Sequence, residues 1–172
     1  IIIIGYMGAG KTTVGKALAK DLGVMFYDLD WYIESRMRKT VKQIFDEVGE
    51  EGFRKIEHNM LHEVAEFENV VVSCGGGTPC FFDNMDYMNG HGQTVFLDVH
   101  LDILFNRLRV ATHQRPILQG KTDEELRAFI ADALEKRAPF YVQARYRFDA
   151  GHLESRRQIA GSVQQLRSLL GV

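Results

Sequence analysis

Hydrophobic and polar positions along this chain fall into two alternating kinds of run. Ile1 to Ile4 form a β-branched block with no polar face, which predicts a central parallel strand covered on both sides. Val14, Leu18 and Leu22 then recur at helical spacing, with Gly23 placed as a C-terminal cap. A short second strand, about Met25 to Asp28, leads into a helix from Trp31 to Arg38. Thr40 and Gln43 have the spacing of a capping box ahead of Ile44, Phe45 and Val48. A turn at Gly49 to Gly52 is expected to interrupt this helix, after which Phe53, Ile56, Met60, Leu61 and Val64 form one apolar stripe. Val70 to Ser73 reads as the third strand, a helix follows around Phe82 to Met88, and Thr94 to Leu97 reads as the fourth strand. Leu101, Leu104, Phe105 and Leu108 again have helical spacing. Residues 111–121 show no periodic apolar face and are expected to be a mobile surface lid. A second capping box, Thr122 with Glu125, starts a helix that Pro139 is expected to end. Tyr146 to Phe148 gives a fifth strand, and Val163, Leu166, Leu169 and Leu170 mark the closing helix.

Strands that alternate with helices long enough to cross over predict one α/β domain spanning residues 1–172, three layers deep around a five-stranded parallel sheet. Ligands of such sheets gather beyond the carboxyl ends of the strands. The 172 residues, 45% hydrophobic and 26% charged, suffice for one buried core. A formal net charge of −2 gives no bulk field to attract nucleic acid or an anionic membrane. Cys74 and Cys80 have no metal-binding spacing and read as reduced thiols of a cytoplasmic protein. No apolar run reaches transmembrane length and no leader is recognisable. Because the chain opens on Ile1 inside a strand pattern without an initiator Met, a few preceding residues are expected to be missing.

The chemistry centres on Gly5-Tyr6-Met7-Gly8-Ala9-Gly10-Lys11-Thr12, which matches GxxxxGK[ST] between a strand and a helix. Glycines let successive backbone N–H groups, from Gly8, Ala9 and Gly10 through Thr13, turn inward onto phosphate oxygens, and the helix adds its positive end. Lys11 would reach the β- and γ-phosphates, and the Thr12 hydroxyl would take a magnesium position.

Other candidates have plainer alternatives. Asp28 and Asp30 end the second strand, and both can face the phosphates only if the strand stops by Leu29. One would then serve the metal and the other accept a hydroxyl proton; capping the next helix is the simpler role. Arg54 and Glu57 are helical neighbours. They form either an aimed anion grip or a surface pair worth a few tenths of a kcal/mol. Arg115, stiffened by Pro116 within the lid, could be delivered to the phosphates on closure, and Arg137 lies near a helix end. His58 and His62, four residues apart, could in principle bind zinc, but no third ligand stands in a suitable sequence pattern, so that reading is set aside.

Taken together, the loop Gly5 to Thr12, Asp28-Leu29-Asp30, Phe53-Arg54-Lys55-Ile56-Glu57, Gly75-Gly76-Gly77, Arg115-Pro116-Ile117-Leu118 and Arg137 make the chain resemble the shikimate kinases over nearly its whole length. The resemblance implies a P-loop kinase fold with strand order 2-3-1-4-5 and transfer of the γ-phosphate of ATP to the 3-hydroxyl of shikimate. Lys11, Thr12 and Asp28 then resemble the phosphate and Mg2+ ligands, and Asp30 the hydroxyl-binding base. Arg54 and Arg137 resemble the carboxylate grip within a helical acceptor region of about 31–62. Gly75, Gly76 and Gly77 present backbone to the ring, Glu57 is similar to the partner of Arg54, and Arg115 bridges to the transferring phosphate. Arg109 and the loop 150–156 fall where the adenine contacts belong, although that loop lacks the family's proline. Ser73 stands where many P-loop proteins carry an aspartate, and Cys74 where Thr is more usual. The implied protein is a cytoplasmic monomer that binds ATP and shikimate, with no nucleic-acid or membrane partner. Gluconate kinase is the alternative, sharing the loop without requiring the Arg54 to Glu57 motif. A GTP switch is disfavoured, because the chain lacks NKxD and has no DxxG after a strand in the usual place.

Overall fold

The structure, a computed structural model, describes residues 1–111 and 116–172. Its five strands are β1 (Ile2–Ile4), β2 (Met25–Asp28), β3 (Val70–Ser73), β4 (Thr94–Asp98) and β5 (Tyr146–Asp149), all parallel in the order β2-β3-β1-β4-β5. Between them lie α1 (Lys11–Leu22), α2 (Leu29–Met37), α3 (Val41–Ala65), α4 (Asn84–His91), α5 (Leu101–Val110) and α6 (Asp123–Tyr141), with α7 (Arg156–Leu170) closing the chain. Successive strand residues face opposite ways, yet Ile2, Ile3 and Ile4 are all buried. Both faces of the centre are therefore covered by helices, as an uninterrupted apolar strand requires. The edges differ: β2 and β5 keep exposed or half-buried positions. Helices α1 and α7 pack together, as do α2 with α3 and α5 with α6.

Local signals set most boundaries. Thr40 and Thr122 both form reciprocal capping boxes, with Gln43 and Glu125, and Gly23 caps α1 in the left-handed region. A third box, Ser155 with Gln158, starts α7 and went unread in the sequence. The interruption expected at Gly49 to Gly52 is a kink: Gly49 alone leaves helical geometry (φ 69°, ψ −177°) and the helix resumes at once.

Two expectations need correction. Pro139 does not end its helix, which continues to Tyr141. Proline removes one N–H and crowds the preceding turn, but Tyr141 is buried, stacks on Phe96 and donates its hydroxyl to Gly76 O at 2.6 Å. Tertiary docking holds the last half-turn. Helix α4 starts two residues later than expected, because Phe82 takes a left-handed φ of 51°. Of the expected lid, residues 112–115 lie outside the described residues. Beyond them, Pro116–Leu118 form a short 3-10 turn with Leu118 buried. No helix among the described residues is long and apolar enough to cross a membrane.

Candidate active site

A cleft of about 480 Å3 opens beyond the carboxyl ends of β1, β2 and β3. One wall is the loop between β1 and α1. Gly8 (φ 80°) and Gly10 (φ 94°) occupy left-handed conformations, and a side-chain carbon on Gly10 would run into Leu153 Cδ1. Only glycine satisfies both the angle and the space. Gly10 is also the N-cap of α1 and offers no side chain to it. The first-turn N–H groups of α1 thus face the cleft with the helix dipole behind them. Lys11 Nζ donates to Gly5 O and Tyr6 O at 2.9 and 3.0 Å, which holds the ammonium across the loop. Gly8, Gly10, Lys11, Thr12 and Thr13 line the cleft, whereas Ala9 is fully buried and donates its N–H to Tyr6 O.

Asp28 takes the capping role, and its second oxygen is turned to the phosphate loop. Its Oδ1 caps α2 by accepting from Asp30 and Trp31 N–H, while Oδ2 accepts from Thr12 Oγ1 at 2.9 Å. The strand stops at Asp28, so Asp30, in the first turn of α2, reaches the same cleft. Burial pushes the Asp30 carboxyl up from 3.8 to about 6; the charges of Asp28 and Glu57 push the same way, and Lys11 opposes them. Asp28 and Thr12 present hard oxygen donors at the phosphate end, a set that suits magnesium.

The second wall is the turn after β3. A side-chain carbon on Gly75 would lie 3.1 to 3.3 Å from Thr78 Oγ1, Glu57 Oε1 and Asp30 Oδ1. One on Gly76 would meet Arg137 Nη1 at 3.1 Å and Met7 N at 3.4 Å, and one on Gly77 would meet Arg54 Nη2 at 2.7 Å. The three glycines let backbone pass between these groups. Arg54 donates to Glu57 at 2.9 Å, and Glu57, almost wholly buried, accepts from Thr78 Oγ1 at 2.7 Å. This is a largely buried pair, not a surface one, although Arg54 Nε has no hydrogen-bond partner of its own. The Arg54 guanidinium lies 4.2 Å from the Phe81 ring centre, and that of Arg137 lies 5.3 Å from Tyr6. Cys74 is buried beside Met88 Sδ at 3.8 Å, and burial raises its thiol well above the ordinary value. It packs as a small hydrophobe.

Lys11, Thr12, Thr13, Asp28, Asp30, Gly75 and Gly76 therefore share one cleft, and Arg54, Gly77 and Arg137 stand around its glycine wall. Arg109 does not line it; half exposed at the end of α5, it pairs with Asp123 at 3.3 Å. Arg115 lies outside the described residues. Sequence reasoning missed Arg107, which donates to Gly8 O, Ala150 O, Gly151 O and Glu154 and so ties the phosphate loop to the 150–154 loop. A signal existed: at about 100° per residue, Arg107 lies about 60° round α5 from Leu104, and Arg109 about 140°.

The family model described as shikimate kinase matches residues 7–167. The shikimate kinase of Bacteroides thetaiotaomicron is 66% identical over 170 residues, covering 99% of this chain and 97% of that protein. A crystal structure of shikimate kinase from that organism aligns with a TM-score of 0.93 at 63% identity, over 99% of this chain and 97% of the other. Shikimate kinase from Acinetobacter baumannii, solved in complex with shikimate, aligns with a TM-score of 0.84 at 31% identity, over 99% and 92%. A gluconokinase from Sinorhizobium meliloti 1021 reaches a TM-score of 0.58 at 20% identity, over 99% and 94%, a likeness of fold alone.

Proposed function

The chain belongs to the shikimate kinase family, and from that premise we propose how its own residues carry the reaction. The protein is an ATP-dependent phosphotransferase of aromatic amino acid biosynthesis, moving the γ-phosphate of ATP to the 3-hydroxyl of shikimate to give shikimate 3-phosphate and ADP. The observation that carries the assignment of roles is the place of Gly76. A side-chain carbon there would meet Met7 N and Gly5 O of the phosphate loop at 3.4 and 3.5 Å and Arg137 Nη1 at 3.1 Å, while one on Gly75 would meet Asp30 Oδ1 at 3.3 Å. Donor phosphate and acceptor hydroxyl can therefore meet at one point.

In this reading the N–H groups around Gly8, Gly10, Lys11, Thr12 and Thr13 hold the phosphates, Ala9 being engaged with Tyr6 O instead, and Lys11 leaves the carbonyls of Gly5 and Tyr6 for the β- and γ-oxygens. Thr12 and Asp28 hold Mg2+, which when bound screens phosphate charge as it moves to the leaving group. Arg54 and Arg137 grip the carboxylate, with Glu57 fixing the plane of the Arg54 guanidinium. Gly75, Gly76 and Gly77 offer backbone to the ring. Asp30 accepts a hydrogen bond from the attacking hydroxyl and takes its proton as the bond to phosphorus forms. A loose transition state needs little base strength, so a carboxylate near 6 suffices.

Arg115, carried by the segment 111–121, is proposed to reach the transferring phosphate, and Arg109 with the loop 150–156 to border the adenine. Leu153 and Glu154 already face the cleft from that loop. The proposal treats residues 1–172 as one kinase domain, monomeric and cytoplasmic, with its acceptor region at about 31–62. Gluconate kinase is not favoured, since the gluconokinase likeness stops at the fold. A coupled assay of ADP release with shikimate, quinate, gluconate and nucleoside monophosphates tests the reading. Shikimate alone should be turned over efficiently, and equal use of gluconate would overturn it.

A further inference from the structure

On the outer side of the acceptor wall, the fold supplies a third ligand that the sequence spacing did not. His58 and His62 stand one turn apart on α3, and the turn into α4 brings Asp83 over them. Asp83 Oδ1 lies 3.7 Å from His58 Nδ1 and 4.0 Å from His62 Nε2, and one donor atom from each of the three residues falls within a 4.8 Å cluster. We propose that His58, His62 and Asp83 form a binding site for a divalent cation of the zinc class, outside the catalytic cleft, that clamps α3 to the turn 81–84.

Three independent features point there. His62 Nε2 is a buried ring nitrogen with no hydrogen-bond partner, held in place because its ring stacks on Tyr87 with centroids 3.4 Å apart. An orphaned buried nitrogen is what a missing Lewis acid would leave. Asp83 occupies the N-cap of α4, where an aspartate ordinarily accepts a first-turn N–H, yet its side chain makes no capping bond. Its carboxylate is turned to the imidazoles instead. Phe82, just before it, takes a left-handed φ of 51° that a bulky residue rarely adopts, and its ring lies 5.0 Å from His58. The unusual backbone is what aims Asp83.

Two imidazoles and one carboxylate are the donor set zinc accepts, with water completing four-coordination. Bonds of about 2.0–2.1 Å put tetrahedral ligand atoms about 3.3 Å apart, so the Asp83 separations of 3.7 and 4.0 Å must close by about 0.4 and 0.7 Å, and the two imidazole nitrogens, within 4.8 Å of each other, by at most about 1.5 Å. His58 Nδ1 now lies 2.7 Å from Asn84 Oδ1, a contact that coordination through Nδ1 exchanges for a metal bond. Asn84 keeps its bond to Thr78 O at 2.8 Å. Partial exposure of all three side chains leaves an entry path. The clamp would fix the turn holding Phe81 against the Arg54 guanidinium, so the site adjoins the acceptor grip without belonging to it.

Chelator-stripped, untagged protein titrated calorimetrically with zinc chloride should bind one equivalent, and its melting temperature should rise by about 5 °C at saturation. Cobalt chloride should give the visible absorption of a tetrahedral site. His62→Gln and Asp83→Asn, both checked for an unchanged melt without metal, should each weaken zinc at least tenfold and abolish that absorption. His100→Gln, at an exposed histidine elsewhere, should change neither. Absence of saturable zinc binding by the parent chain, or equal binding by His62→Gln and Asp83→Asn, overturns the proposal. None of these readouts depends on kinase turnover, so the proposal can fail while the kinase assignment stands.

Discussion

At the phosphate end of the cleft, a contiguous stretch from Gly5 to Thr12 supplies the cradle, and it does so mainly with backbone held by positive φ angles. At the acceptor end, Asp30, Arg54, Glu57, Thr78 and Arg137 arrive from α2, α3, the turn after β3 and α6, and they work through side chains. The first end is encoded by local chain geometry, whereas the second exists only once the sheet order has brought distant segments together. Phosphate, common to many substrates, is met by a local motif. In the reading proposed above, shikimate, which needs discrimination, is met by charges drawn from distant segments, whose burial cost the whole fold must offset.

That contrast sets the order of mutational effects. Lys11→Met should lower kcat by about a thousandfold, because it removes the one side-chain charge of the cradle from the transferring phosphate. Its urea midpoint should stay close to that of the parent, the cradle being backbone-built. Substantial turnover in Lys11→Met would mean that the loop alone suffices, and the division between the two ends would fail.

The acceptor end should behave in the opposite way, losing stability and specificity together. Glu57→Ala takes the buried carboxylate from the Arg54 guanidinium and leaves it beside Phe81 with only the exposed Glu50, 3.4 Å away, at an expected cost of about 3 kcal/mol in urea unfolding. Arg54→Ala should raise the KM for shikimate about a hundredfold while leaving the KM for ATP within a few-fold. Equal losses for both substrates would show that Arg54 serves the cleft as a whole.

Asp30 sits where the two ends meet, and its raised pKa gives it a signature in pH. Between about pH 4 and 6 the folded chain keeps a proton that the unfolded chain has released. The stability this supplies is present below about pH 4 and lost as pH rises through about 6. Asp30→Asn escapes that loss, so the variant should be more stable than the parent at pH 8 by about 1 to 3 kcal/mol. The parent's kcat/KM should rise through about pH 6 as the carboxylate ionises, and the variant should lack that limb. A parent profile flat across this range would leave Asp30 as a hydroxyl anchor only.

How far each end was legible follows from the same contrast. The strand runs, the phosphate loop, two capping boxes and the Asp28 to Asp30 doublet depend on neighbours within a few residues, so spacing revealed them. The strand order came with the family resemblance, since periodicity says nothing of which strands adjoin. Thr78 beneath Glu57, Phe81 against Arg54 and Asp83 over His58 and His62 depend on contacts across 21 residues or more, which no local pattern announces. Pro139 was misjudged for a related reason: the bond from Tyr141 to Gly76 spans 65 residues and outweighs a local helix breaker.

Arg107 and Arg109 sharpen the comparison at its weakest point, the rim where the local cradle meets the rest of the chain. Arg107 is mostly buried and bonds to carbonyls of both the phosphate loop and the 150–151 turn, so its loss leaves those acceptors unpaired and the two loops free to part. Arg107→Ala should raise the KM for ATP about tenfold and leave that for shikimate almost unchanged. Arg109, half exposed and paired with an equally exposed Asp123, gains little from a screened ion pair. Arg109→Ala should cost under about 0.5 kcal/mol in stability and, as Arg109 only borders the adenine and ties no loops together, raise the KM for ATP less than Arg107→Ala does. If the two variants proved equal, the phosphate end would depend on the outer face of α5 as much as on the inner one. The line between a locally built cradle and a fold-built grip would then have to be redrawn one helix turn further out.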